Sequence, residues 1–269
     1  MNILILGDIF GAPGRIAVIK KLPSLIKEKK INFVIINGEN SADNGLGITK
    51  ENAEELFNSG ADVITTGNHV WDQKEIIKFI EEETRLLRPY NLIEGSPGKG
   101  YNIFTSKNNK KIAVVNLMGN VFMRKSEDVF MSAQKFKKNI KLKKEVDFIV
   151  VDIHGETTSE KLAMGHFFDG EATLVVGTHT HVPTSDSRIL NGGTAYQTDL
   201  GMCGVYDSVI GMNKENSIKK FLKDSSAVRH FPAKGEGTIC GVIVEADEET
   251  GLAKKIEQIT LGGFLTERL

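Results

Sequence analysis

Six short apolar runs punctuate the first two thirds of the chain: Asn2–Gly7, Phe33–Asn37, Val63–Gly67, Lys111–Leu117, Phe148–Ile153 and Thr173–Gly177. Each is rich in Ile and Val and ends in small or polar residues, the pattern of strands buried on both faces. Amphipathic stretches separate them. Thr49 is placed to cap a helix over Lys50–Asn58, and Asp72 one over Gln73–Glu82, where Ile76, Ile77 and Ile80 recur at helical spacing. Ser132–Lys144 and Thr158–Phe168 read in the same way. This alternation over the first ~180 residues predicts an α/β layered fold.

The last third changes character. Arg188–Leu190, Thr194–Thr198, Thr238–Ala246 and Ala253–Leu261 read as strands separated by turns such as Asn191-Gly192-Gly193. They suggest a second, more antiparallel sheet packed on the first. No Pro- or Ser-rich linker and no internal repeat breaks the chain, so residues 1–269 are expected to form a single domain.

Composition narrows the function. Apolar residues are 40% of the 269, and 27 glycines add to them, the balance of a folded globular chain rather than a disordered one. Lys and Arg number 34 against 35 Asp and Glu. No basic field therefore advertises nucleic acid or a membrane surface, and RNA is not indicated as a partner. The basic stretches Lys107–Lys111 and Lys135–Lys144 read as solvated faces. No apolar run reaches the ~18 residues of a membrane span. Asp8 interrupts the N-terminal apolar stretch, which also lacks the basic segment of a secretory signal. Cys203 and Cys240 are too few for a disulfide framework. A cytoplasmic location is the expectation.

The polar residues that matter stand where buried strands should end, which in open α/β sheets is where ligands bind. Five of the six runs deliver chemistry there: Asp8, then Gly38-Glu39-Asn40, then Gly67-Asn68-His69, then His154, then Gly177-Thr178-His179-Thr180-His181. Carboxylate and amide oxygens mixed with imidazoles suit manganese, iron or zinc, whereas an all-oxygen set would suit magnesium or calcium. His179 and His181 project to one side if their segment is extended; on a helix they would diverge by about 200°. Asp8, Glu39, Asn40, Asn68, His154, His179 and His181 are too many for one tetrahedral ion. A carboxylate bridging two ions ~3.5–4 Å apart accounts for the number better.

Each residue alone has an ordinary structural use. Asp8 precedes Gly11-Ala12-Pro13-Gly14, which would turn anyway; Glu39-Asn40 could be a solvated loop, and His154 a hydrogen-bonded core histidine. Their joint placement at one edge favours the metal. His166, in an apolar helical context, and His230, beside Arg229 and Phe231, stay outside it. Cys203 has no base nearby in sequence and reads as structural. Gly7, Gly11 and Gly14 do not form a dinucleotide fingerprint.

Asp8, Gly38-Glu39-Asn40, Gly67-Asn68-His69 and Gly177-Thr178-His179-Thr180-His181 resemble the ordered motifs of calcineurin-like metallophosphoesterases. The longer strings GDIFGAPGR, INGENSADNGLGIT, TTGNHVWD, DIHGETTSEK, GTHTHVPT and TDLGMCGVYDSVIGM resemble the YmdB-like family in particular, from residue 1 to about 215. That resemblance implies a four-layered αββα sandwich of two mixed β-sheets flanked by helices. It implies two metal ions, iron or manganese, and phosphodiesterase activity, notably on 2',3'-cyclic nucleotides, by a hydroxide held between the ions. One ion would take Asp8, Glu39, Asn40 and His181; the other would take Glu39, Asn68, His154 and His179. His69 matches the proton donor. A homo-oligomer is also implied.

The sequence departs from the wider superfamily in two motifs: Asp8-Ile9-Phe10 stands where Asp-x-His is usual, and Glu39 replaces a bridging Asp. The amide oxygen of Asn40 is the expected substitute for the lost imidazole, and the harder site suits iron or manganese better than zinc. Two other readings stay open: a non-catalytic regulator that binds a nucleotide or a partner protein, and a phosphomonoesterase or protein phosphatase. Gly119–Asp128 and Asp199–Met212 are candidate covers of the site.

Overall fold

The N-terminal apolar run forms β1 (Asn2–Leu6), and a two-residue strand β2 (Asp8–Ile9) leads into α1 (Gly11–Glu28) in a computed structural model that describes residues 1–269. Next come β3 (Phe33–Asn37), α2 (Lys50–Asn58), β4 (Val63–Thr65), α3 (Ile76–Glu82) and β5 (Leu86–Leu87). The second half carries β6 (Tyr101–Thr105), β7 (Lys111–Met118), α4 (Val129–Asn139), β8 (Phe148–His154), α5 (Thr158–Phe167) and β9 (Leu174–Thr178). After these lie β10 (Arg188–Ile189), β11 (Ala195–Gln197), β12 (Met202–Cys203), α6 (Lys214–Phe221), β13 (Ile239–Ala246) and β14 (Ala253–Leu261).

Two six-stranded mixed sheets result, ordered β14-β13-β1-β3-β4-β5 and β10-β11-β9-β8-β7-β6, with β12 and β2 paired beside them. The strands that carry polar termini run parallel: β1, β3 and β4 in the first sheet, β8 and β9 in the second. Alternate side chains leave opposite faces of a strand, and here both faces are covered. Ile3 and Ile5 of β1 share the core between the sheets with Ile112 and Val114 of β7 and Phe148 and Val150 of β8. Leu4 and Leu6 pack outward with Val18 and Leu22 of α1 and Leu56 of α2. Val115 and Val151 pack outward with Phe136 of α4 and Met164 of α5. The layers are therefore helix, sheet, sheet, helix. Each such Ile or Leu taken fully out of water stabilises by about 1.5–3 kcal/mol, which is why β3 and β8 show apolar runs rather than alternation.

Four expectations change. The C-terminal strands do not build a sheet of their own: β10 and β11 extend one edge of the second sheet, and β13 and β14 extend the first. Gly11-Ala12-Pro13-Gly14 is not a turn but the first turn of α1, where a proline costs no hydrogen bond because its N–H would be unpaired anyway. Asp72 does not cap a helix from Gln73; α3 begins at Ile76 without a side-chain cap. The fourth helix starts at Val129, ahead of Ser132, because Asp128 accepts the backbone N–H of Met131 at 2.8 Å. No helix is long and apolar enough to cross a membrane.

Candidate metal centre

The five polar strand ends converge at one edge of the sandwich. Asp8 follows β1, Glu39 and Asn40 follow β3, Asn68 and His69 follow β4, His154 ends β8, and His179 and His181 follow β9. Glu39, Asn40, His69, His179 and His181 line a cavity of about 280 Å³, together with Phe10, Leu46, Glu156, Ile210 and Met212. Asp8 and His154 lie fully buried beneath it. The first sheet supplies every oxygen donor of the candidate set, and the second supplies the three imidazoles.

One nitrogen organises the cluster. Nε2 of His154 is 3.0 Å from Oε1 of Glu39, 3.0 Å from Oδ1 of Asn68 and 3.1 Å from Nδ1 of His179. Donor atoms bound to one ion at about 2.1 Å stand about 3 Å apart, so this spacing fits a shared cation. On the other side, Nε2 of His181 is 3.2 Å from Oδ1 of Asn40. Each histidine has its outer nitrogen tied off. Nδ1 of His154 is 2.9 Å from Thr178 Oγ1, Nε2 of His179 is 3.1 Å from Glu156 Oε2, and Nδ1 of His181 is 2.8 Å from the Ile210 carbonyl. An acceptor on the outer nitrogen holds the ring so that the inner one offers its lone pair. Asn40 behaves alike: its amide nitrogen donates to the Gly45 carbonyl at 2.9 Å, which leaves its oxygen for the cluster.

A buried acceptor without a partner completes the fit. Oδ2 of Asp8 accepts the backbone N–H of His179 at 3.0 Å, but Oδ1 has no hydrogen bond, a costly arrangement unless a cation meets it. Burial raises the Asp8 carboxyl to about 6. Glu39 is buried too, yet the charge and hydrogen bond of His154 outweigh burial and lower it to about 2. The same pairing overcomes burial of His154 and raises it to about 9. Burial and the His154 charge lower His179 to about 3. Gly67 sits where a Cβ would collide with Glu39 Oε2 and His154 Nε2, so only glycine leaves the cluster its space.

The His179-Thr180-His181 segment is not extended, contrary to expectation. β9 ends at Thr178, and His179 and His181 both take positive φ, 102° and 65°. Ile210, which offers its carbonyl to His181, is also at φ 49°. Such backbone is unfavourable for these residues and persists where surrounding contacts impose it. One such contact is the buried Lys161–Asp199 pair, 2.7 Å apart, in which Asp199 also accepts the backbone N–H and hydroxyl of Thr180.

Sequence reasoning missed the supports of the cluster. Asp152, inside the apolar run of β8, accepts the hydroxyls of Thr178 at 2.8 Å and Thr65 at 2.6 Å and the amide of Asn37 at 3.0 Å. Thr178 thus spends its proton on Asp152 and receives that of His154. A carboxylate within a run buried on both faces was the available signal. Glu156, Ile210 and Lys161 had none. Asp72, expected as a cap, instead lies 2.7 Å from His69 Nδ1 and binds Arg124 at 3.2 Å.

Comparison with known proteins gives a consistent result. The sequence profile described as YmdB-like protein matches residues 4–259. The chain is 47% identical, over 97% of each sequence, to the 2',3'-cyclic-nucleotide 2'-phosphodiesterase of Bacillus subtilis. Its structure resembles that of a phosphatase from Mycoplasma pneumoniae, with 36% identity, a TM-score of 0.89 and coverage of 97% and 93% of the two chains. A hypothetical protein from Thermus thermophilus matches equally well, with 35% identity, a TM-score of 0.89 and coverage of 97% and 99%. A profile match spanning nearly the whole chain, together with 47% identity to a relative over 97% of its length, makes this chain a member of the YmdB-like family.

Proposed function

We propose that this protein is a dinuclear-metal phosphodiesterase acting on 2',3'-cyclic nucleotides. The observation that carries the reading is the ring of donors around His154 Nε2, each imidazole secured from behind. Asp8, Glu39, Asn40 and His181 would hold one ion; Glu39, Asn68, His154 and His179 would hold the other, with Glu39 shared. Mixed oxygen and imidazole donors suit iron or manganese. The identity to the Bacillus subtilis enzyme supports the diesterase chemistry.

Bound there, divalent ions would supply hydroxide near neutral pH and offset charge on the phosphate oxygens. The protein does the rest. Asp8 and Glu39 are the only anionic members of the donor set, so the site keeps a positive balance toward an anionic substrate. His69 lines the cavity with Nδ1 held by Asp72, which leaves Nε2 to carry a proton to the departing ribose oxygen. The Glu39 carboxylate also accepts the backbone N–H of His69 at 3.2 Å, fixing that residue relative to the cluster. Phe10, Leu46, Ile210 and Met212 provide an apolar wall for the sugar and base. The test is hydrolysis of 2',3'-cAMP by manganese-loaded protein. Turnover abolished by chelation and restored by metal is expected; saturable binding with no turnover would contradict the reading.

A further inference from the structure

The cavity contains no lysine or arginine. Two of its lining residues carry a formal charge, Glu39 and Glu156, and Glu39 turns its carboxylate into the donor cluster against His154. Glu156 is placed otherwise. Its side chain is 49% exposed at the cavity wall, with Oε2 3.1 Å from the outer nitrogen of His179. No cationic side chain pairs with it, and an imidazole whose other nitrogen serves as a ligand is neutral. A negative charge with no cationic side-chain partner therefore stands beside the place where a phosphate must enter.

Holding the His179 ring does not require that charge, because an amide oxygen would accept the same N–H. What the charge adds is repulsion proportional to the charge of the ligand. Near neutral pH a phosphodiester carries one negative charge and a phosphomonoester close to two, its second pKa being about 6. We propose that Glu156 is a specificity-determining residue that selects singly charged phosphodiesters and disfavours phosphomonoesters and diesters carrying further phosphates. This deepens the diesterase reading above and rests on it.

The experiment is calorimetric binding of phenylphosphonate, a dianion at about pH 8, and of its singly charged monomethyl ester. Both are measured on manganese-loaded wild-type protein and Glu156→Gln, with metal content determined for each. Removing one charge should tighten the monoanion about threefold and the dianion about tenfold, the second gain being the square of the first, and both gains should shrink with salt. Equal gains for the two ligands, or none, overturn the proposal. Loss of metal in Glu156→Gln would make the residue a support of His179 and overturn it as well. Turnover of bis-4-nitrophenyl phosphate by the wild-type protein tests the diesterase reading separately: charge-ordered affinities without any turnover would sink that reading and leave the role of Glu156 standing.

Discussion

Oε1 of Glu39 and Nε2 of His154 meet at 3.0 Å across the junction of the two sheets, Glu39 following β3 of the first and His154 ending β8 of the second. Oxygen donors come from one sheet and imidazoles from the other, so a cation held by both would tie the sheets together. Metal should then stabilise the fold as well as serve catalysis. A ligand at about 100 times its dissociation constant adds about 2.7 kcal/mol. For a chain of this length, chelation should lower the Tm by roughly 5–10 °C. Calorimetry with and without chelator checks this, and an unchanged Tm would contradict it.

Metal uptake should also depend on pH in a stated direction. Glu39 and the other carboxylates around His154 raise that imidazole to about 9, and burial raises Asp8 to about 6. Below these values a proton occupies an atom that the ion needs. The affinity for manganese should therefore rise with pH, about tenfold per unit between roughly 6 and 9, and more steeply below 6. About one proton should be released per ion bound at His154, readable by calorimetry in buffers of different ionisation enthalpy. A pH-independent affinity would count against the arrangement.

The Asp152–Thr178–His154 chain predicts a selective loss. Thr178→Val keeps the shape of the side chain but removes the acceptor for His154 Nδ1 and a donor to Asp152. Loss of such a support costs about 10–100-fold in metal affinity. Titration of the apo variant with manganese should show that weakening, and wild-type affinity would show that Thr178 does not steer the ring.

The His69 side chain makes its hydrogen bond to Asp72 rather than to any member of the donor ring. His69→Ala should lose about 10²–10⁴ in kcat while keeping its metal, and Asp72→Asn should lose less because the imidazole remains. Metal analysis beside steady-state kinetics separates the alternatives: metal lost in step with rate would make His69 a ligand.

Much of this was legible in the chain because buried strands announce themselves. Phe33–Asn37 and Phe148–His154 are buried throughout, so their apolar runs marked both the strands and the polar edge beyond them. What stayed hidden depends on tertiary contacts. A strand pattern in Ala253–Leu261 does not say which sheet it joins; pairing with β13 decides that. Asp72 has the right side chain for a helix cap and for a histidine partner, and only the position of His69 settles its use. The positive φ of His179, His181 and Ile210 leaves no mark in residue types that rarely adopt it. Phe10 and Pro13 concealed the start of α1 in the same way: with Gly11 and Gly14 around them, they spell a turn until a helix packs there.

The central claim is that Glu39 is shared by two cations. The direct measurement is anomalous diffraction from crystals of manganese-reconstituted wild-type protein and of Glu39→Ala. Two peaks per wild-type chain are predicted, one among Asp8, Glu39, Asn40 and His181 and one among Glu39, Asn68, His154 and His179, both lost or severely depleted in the variant. A single peak, no peak, or two undiminished peaks in Glu39→Ala would contradict the account.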